Sequence, residues 1–244
     1  MLPLDGATAV VTGGARRLGA AIALALARAG CNLAINYRAS RGEAETTATA
    51  ARQSGVQAIT VQGDMTQPDA VAQLLHATLA AFGRVDVLVA NAGAFRRTPL
   101  ATLAEADWDD MMNNNLRASF LCARHFGLHM QAHGGGTVVL IADVAGFRPW
   151  VDYLPYSLAK AGVITLTHAL AKELAPSVRV NAVAPGPILF PDDFDAAARD
   201  REINRTLLQR AGDPQNVADA VLMLVRNDYI TGAVLPVDGG RLLT

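Results

Sequence analysis

The residues with the clearest chemical potential are Tyr156 and Lys160, in the run Tyr-Ser-Leu-Ala-Lys. On a helix, a spacing of four puts the phenol and the ammonium on one face. A nearby ammonium favours phenolate, so the tyrosine is expected to titrate below its usual value of about 10. Such a phenol can deliver a proton to an oxygen or nitrogen while the adjacent carbon is reduced. Pairs of this spacing also arise by accident on helices, so the rest of the chain must supply the context.

That context begins near residue 12. The stretch Thr12-Gly13-Gly14-Ala15-Arg16-Arg17-Leu18-Gly19 follows an apolar, β-rich run and opens an apolar helical pattern. Glycines there let the backbone approach a pyrophosphate, and the helix start supplies free N–H groups and the positive end of its dipole. The plainer explanation, an ordinary tight turn, is disfavoured by the strand before it and the helix after it. The second apolar run ends Ile35-Asn36-Tyr37-Arg38-Ala39-Ser40. An NAD-selective fold carries a carboxylate at that strand end, and none stands here. Arg38 and Ser40 suit a 2′-phosphate, and Arg16 or Arg17 can add a second cation. The expected cofactor is therefore NADPH/NADP+; the alternative is that Arg38 is only a solvated surface residue.

The elements that must position these groups are legible as alternation. Strands are expected at Ala7–Thr12, Asn32–Asn36, Ala58–Gln62, Val85–Ala90, Thr137–Ile141, Arg179–Ala184 and Ala233–Val237. Little polar alternation within them implies parallel strands covered on both faces. Helices are expected at Leu18–Ala29, after Thr66 as N-cap with Pro68 in the first turn, and over Asp107–Gln131, Pro155–Leu174 and Pro214–Val225. The pattern is α/β, a doubly wound parallel sheet (Rossmann fold) of about seven strands with helices on both faces. One domain is expected over 1–244, with an irregular substrate lid at about 187–205.

Composition narrows the function classes. Charges nearly cancel, with 21 basic and 22 acidic residues, which offers no footprint for nucleic acid or an anionic membrane. Cys31 and Cys122 lie too far apart for a metal-spaced or redox pair and read as buried thiols; no metal is expected. The start of the chain has no basic n-region, and no apolar run reaches the ~18 residues of a spanning helix. A cytoplasmic location is expected.

Taken together, these motifs resemble the short-chain dehydrogenase/reductase family. Gly13 and Gly19 match the first and last glycines of its turn, and Arg17 stands at the middle glycine. Asp64, in Gly63-Asp64-Met65, matches its adenine-contacting acid, and Asn91-Ala92-Gly93 matches its Asn-Ala-Gly motif. The resemblance implies that Lys160 also holds the nicotinamide ribose and that Asn115 completes a proton relay. Val180 to Gly186 matches the strand before the nicotinamide loop, leaving Pro185, Gly186 and the backbone near Ile188 to face the nicotinamide.

One departure stands out. Thirteen residues before Tyr156 most members carry a serine that donates to the reacting carbonyl; here the run is Ile141-Ala142-Asp143. An ionised aspartate accepts and cannot donate. Asp143 with Arg17 resembles the pteridine reductases, including the dihydromonapterin-reductase type. In that subgroup Phe95 falls where an aromatic stacks on the pterin, with Phe190 or Trp150 as further contacts. The resemblance implies NADPH-dependent reduction of a pterin C=N bond by a homotetramer. The alternatives are a carbonyl reductase of the 3-oxoacyl-thioester or sugar type and, less favoured because Tyr156 and Lys160 are both kept, a non-catalytic NADP-binding protein.

Overall fold

The computed structural model describes residues 4–191 and 194–244. Seven parallel strands form one sheet in the order β3-β2-β1-β4-β5-β6-β7. They are β1 (Thr8–Val11), β2 (Asn32–Tyr37), β3 (Ala58–Gln62), β4 (Val87–Ala90), β5 (Gly136–Ile141), β6 (Val178–Pro185) and β7 (Val234–Val237). The register pairs Val11 with both Ile35 and Val89, and Ile141 with Val183. The fold is the expected doubly wound Rossmann type.

Strand alternation divides the core into two layers. Ala9, Val11, Leu33, Ile35, Val87 and Val89 face one layer, against α1 (Arg17–Arg28), α2 (Arg41–Arg52) and α8 (Pro214–Arg226). Val10, Ala34, Leu88 and Ala90 face the other. There they meet Leu74 of α3 (Pro68–Phe82), Phe126 of α5 (Ala118–Ala132) and Val163 of α6 (Leu154–Glu173). Because both faces are covered, each central strand is apolar on both sides, as its sequence implied.

The chain reverses its direction of winding between β1 and β4. A crevice at the carboxyl ends of such strands is where open α/β sheets place ligands. The Gly13–Gly19 turn leaves β1 there, and the Asn91–Gly93 segment leaves β4 beside it.

Three expectations change. The Asp107–Gln131 helix is α4 (Glu105–Met112), a π-helical turn over Asn113–Arg117, and then α5. Thr66 does not cap α3: Gln67 occupies the N-cap, and the Thr66 hydroxyl donates instead to Asp64 at 2.8 Å. The 187–205 stretch is not wholly irregular, since α7 occupies Ala196–Asn204 with Asp195 capping it through the Ala198 N–H; residues 192 and 193 of that stretch lie outside the described residues. Among the described residues no helix is long and apolar enough to cross a membrane.

Candidate active site

The phosphate-type turn is tight. Gly13 has φ +59°, and a Cβ on Gly19 would lie 2.1 Å from the Gly13 carbonyl oxygen and 2.7 Å from Asn91 Nδ2. The turn is pinned to its neighbours. Asn91 Nδ2 donates to the carbonyls of Thr12 and Gly13, and the Thr12 hydroxyl accepts the N–H groups of Asn91 and Ala92. Asn36, buried at the end of β2, accepts the Gly13 N–H and donates to the Val61 and Gly63 carbonyls. Helix α1 has no acidic residue in its first turn and no side-chain cap. The first-turn N–H groups of Arg17, Leu18 and Gly19 therefore have no intrahelical partner and face no competing carboxylate.

Arg17 has φ +52°, the left-handed region that a glycine occupies without strain. A non-glycine residue there costs roughly 1–2 kcal/mol. Its Nη2 donates to the Phe190 carbonyl at 3.3 Å, tying the turn to the 187–205 segment. Within that segment Phe190 stacks on Phe194 with centroids 6.2 Å apart. Arg16 is exposed at the α1 N-cap and Ser40 half-buried at the start of α2, neither capping its helix through the side chain. Leu18 and Ile188 are half-buried against the first core layer, and Met65 is buried in the second. Pro185 ends β6, and the Gly186 N–H donates to Val237.

The proton-transfer groups meet beyond β5. Tyr156 Oη donates to Asp143 Oδ2 at 2.7 Å, and Asp143 Oδ1 accepts the Ala145 N–H at 2.7 Å. Lys160 Nζ donates to the Ile141 carbonyl at 2.8 Å and lies 5.7 Å from the centroid of the Tyr156 ring. Burial raises the Asp143 pKa, opposed by the Ala145 N–H, Lys160 and Tyr156. Burial, then the Asp143 charge and hydrogen bond, push Tyr156 well above its ordinary 10. Burial brings Lys160 down to about 8 against the pull of Asp143.

These directions bear on two expectations. The tyrosine is raised rather than lowered: burial is the main cause, the Asp143 carboxylate that accepts its hydroxyl adds to it, and the Lys160 ammonium is held by a backbone carbonyl. Asp143 accepts at both oxygens, from the Tyr156 hydroxyl and from the Ala145 N–H, as its residue type implied, while burial raises its pKa.

Phe95, after β4, stacks on Tyr153 at 4.7 Å and 18°, and meets the Tyr156 ring edge-on at 4.9 Å. Trp150 stands edge-on to it at 6.1 Å. The shelf is held by Thr98 pairing with Tyr153, by the Thr98 N–H donating to the Asp152 carbonyl, and by Arg97 Nε on Asp152 at 3.1 Å. Phe95 remains 38% exposed, so the aromatic surface is open to a ligand. Asn115, buried in the π turn, accepts the Ala94 N–H at 3.2 Å and donates to the Met111 carbonyl. It braces the Phe95 loop from below. A Cβ on Gly93 would come within 2.8 Å of Asn115 Oδ1.

The family model described as enoyl-(acyl carrier protein) reductase matches residues 13–241. A 3-oxoacyl-[acyl-carrier-protein] reductase of Synechocystis sp. is 38% identical over 247 residues, covering 100% of both chains. A protein of the same description from Staphylococcus epidermidis is 34% identical, over 97% of this chain and 99% of the relative. A dehydrogenase/reductase from Sinorhizobium meliloti has a TM-score of 0.92 at 33% identity, over 98% of this chain and 97% of that one. The chain belongs to the short-chain dehydrogenase/reductase family.

As a member of that NAD(P)-dependent family of oxidoreductases, the chain carries residues that fit a phosphorylated dinucleotide. Three features fit it: the cradle that a Cβ at Gly19 would fill, the acid-free start of α1, and the neutral Asn36 that accepts the Gly13 N–H. Gly19→Ala is expected to abolish detectable cofactor binding and lower the melting temperature, since its Cβ would strike a backbone oxygen. Thermal melts with and without added NADPH check this: an unchanged cofactor-induced shift would mean that the turn relaxes.

The 3-oxoacyl reductases match the carbonyl-reductase alternative better than the pterin reading. Sequence reasoning missed Tyr153 and Thr12 as parts of the site. Tyr153 carried no local signal, since the aromatic shelf joins residues 58 apart in the chain; Thr12 opens the glycine turn, which was the signal for it, but it acts through the segment after β4.

Proposed function

We propose that this short-chain dehydrogenase/reductase uses NADPH to reduce a carbonyl group, with a 3-oxoacyl thioester as the substrate class. The observation that carries the reading is the half-buried contact between the Tyr156 hydroxyl and Asp143, a pair able to hold a proton at the carboxyl end of β5. The names of the relatives favour the same substrate class.

When bound, the reduced nicotinamide supplies a hydride to the substrate carbon. Gly13, Leu18, Gly19, Asn91, Ala92 and Gly93 would line the dinucleotide, with Arg38, Ser40 and Arg16 near the adenosine phosphate and Asp64 near the base. Tyr156 Oη gives its proton to the substrate oxygen, because a phenol with a raised pKa reaches neutral pH fully protonated. Asp143, in its acid form, offers a second hydrogen bond to that oxygen, the part a serine plays in most of the family. Lys160, fixed by Ile141, keeps a positive charge beside the phenol. The aromatic shelf and Phe190, on a lid over 187–205, exclude water from the reacting atoms.

A pterin substrate is the second reading, favoured by one observation: the open, flat face of Phe95 braced by Tyr153 suits a planar heterocycle. An ionised Asp143 would then accept from the ring N–H groups. Assays with a 3-oxoacyl thioester and a dihydropterin, each with NADPH and with NADH, separate the readings. We expect thioester turnover with NADPH; turnover of the dihydropterin alone would replace the first reading by the second.

Assembly as a homotetramer is proposed as well, supported by exposed Phe120 and Leu128 on α5 beside a groove lined by Met112, Leu116 and Leu166. Light scattering behind size exclusion tests it, and a monomer mass would refute it.

A further inference from the structure

The π-helical turn places two successive asparagines differently. Asn115 braces the substrate side, while Asn114 faces the end of β2. Asn114 Oδ1 accepts from Arg38 Nη1 at 3.1 Å. The orientation of that amide is determined, because its Nδ2 donates both to the Asp110 carbonyl at 2.8 Å and to Asp110 Oδ1 at 2.7 Å. Turned over, its oxygen would face two acceptors. Asp110 Oδ2 is in turn 3.4 Å from Arg96, which also donates to Asp107. The carboxylate of Asp110 thus has its own cation, and a neutral acceptor is left to hold Arg38.

We infer that Asn114 is a positioning residue for cofactor selection: it holds the Arg38 guanidinium toward a 2′-phosphate without neutralising it. This rests on the NADPH reading above. The competing partner of Arg38 is Asp64, 3.9 Å away with its side chain 39% exposed. Without Asn114 the guanidinium, itself 64% exposed, is free to swing onto that carboxylate and lose its phosphate-facing pose. A neutral amide holds a guanidinium and leaves its full charge for an anion, whereas a carboxylate cancels it.

The test is fluorescence titration of NADPH and NADH against the full chain, with folding checked by circular dichroism. Wild type should bind NADPH more tightly than NADH. Asn114→Leu should raise the NADPH Kd roughly tenfold, the scale of one hydrogen bond to a charged group, and leave the NADH Kd within about twofold. Asn114→Asp, close in shape, should move the ratio the same way and further. In an Arg38→Ala background, Asn114→Leu should add nothing, since its action runs through the arginine. Equal weakening of both nucleotides would show a structural role and overturn the inference. So would an NADPH preference in Asn114→Leu as large as in wild type, which leaves the cofactor reading standing. If wild type itself shows no preference, the cofactor reading falls and this inference with it.

Discussion

Tyr156→Phe is expected to lower kcat/KM for carbonyl reduction by about 10²- to 10⁴-fold, the range for loss of a positioned general acid. The ring stays, so its edge contact with Phe95 and its packing beside Met111 and Ala145 should persist. What is lost is one hydroxyl and the 2.7 Å bond it donates to Asp143. Nicotinamide binding should change little, which puts the loss in kcat rather than in cofactor affinity. Some stability goes too: Asp143 keeps the Ala145 N–H but loses the Tyr156 hydroxyl, a hydrogen bond worth about 0.5–1.5 kcal/mol net. Steady-state kinetics with a parallel cofactor titration provides the check. A variant within tenfold of wild type would remove Tyr156 as the proton donor.

How far the sequence carries can be judged from particular elements. The strands β1 to β6 are legible because burial on both faces makes them mostly apolar, with few and irregularly placed polar residues. Helix α2 was not assigned, since its buried face is built from Ala44, Thr47, Ala48 and Ala51 and the segment carries no large apolar residue to mark it. Helix α7 buries none of its residues and is stopped and started by caps, so hydrophobic periodicity has nothing to report. The π turn over Asn113–Arg117 is invisible for another reason: every residue in it is compatible with an ordinary helix. At the site, the identities of Tyr156, Lys160 and Asp143 are readable from spacing and family resemblance. The direction of their pKa shifts is not. It depends on Lys160 Nζ turning toward the Ile141 carbonyl and on the depth of burial, both consequences of how β5 and α6 pack.

Asp143→Ser is expected to keep thioester turnover, or raise it up to about tenfold, whereas Asp143→Ala should lower it about 10²-fold. Serine restores a hydroxyl that donates at any pH; alanine offers nothing. The wild-type carboxyl donates only while protonated. Burial raises its folded pKa, so the acid form persists above the usual carboxylate range and is lost as pH rises through the raised value. The wild-type rate should therefore decline on the alkaline side of that titration. In the serine variant the limb owed to this carboxyl should vanish, leaving the one set by Lys160, which burial brings down to about 8. The pterin reading makes the opposite demand. There the ionised carboxylate must accept from ring N–H groups, so the serine variant should lose dihydropterin turnover by about 10²-fold and gain no ketone activity. If serine proves as damaging to thioester reduction as alanine, Asp143 is not standing in for the family's hydroxyl. Carbonyl reduction by this pair of groups would then have to be given up.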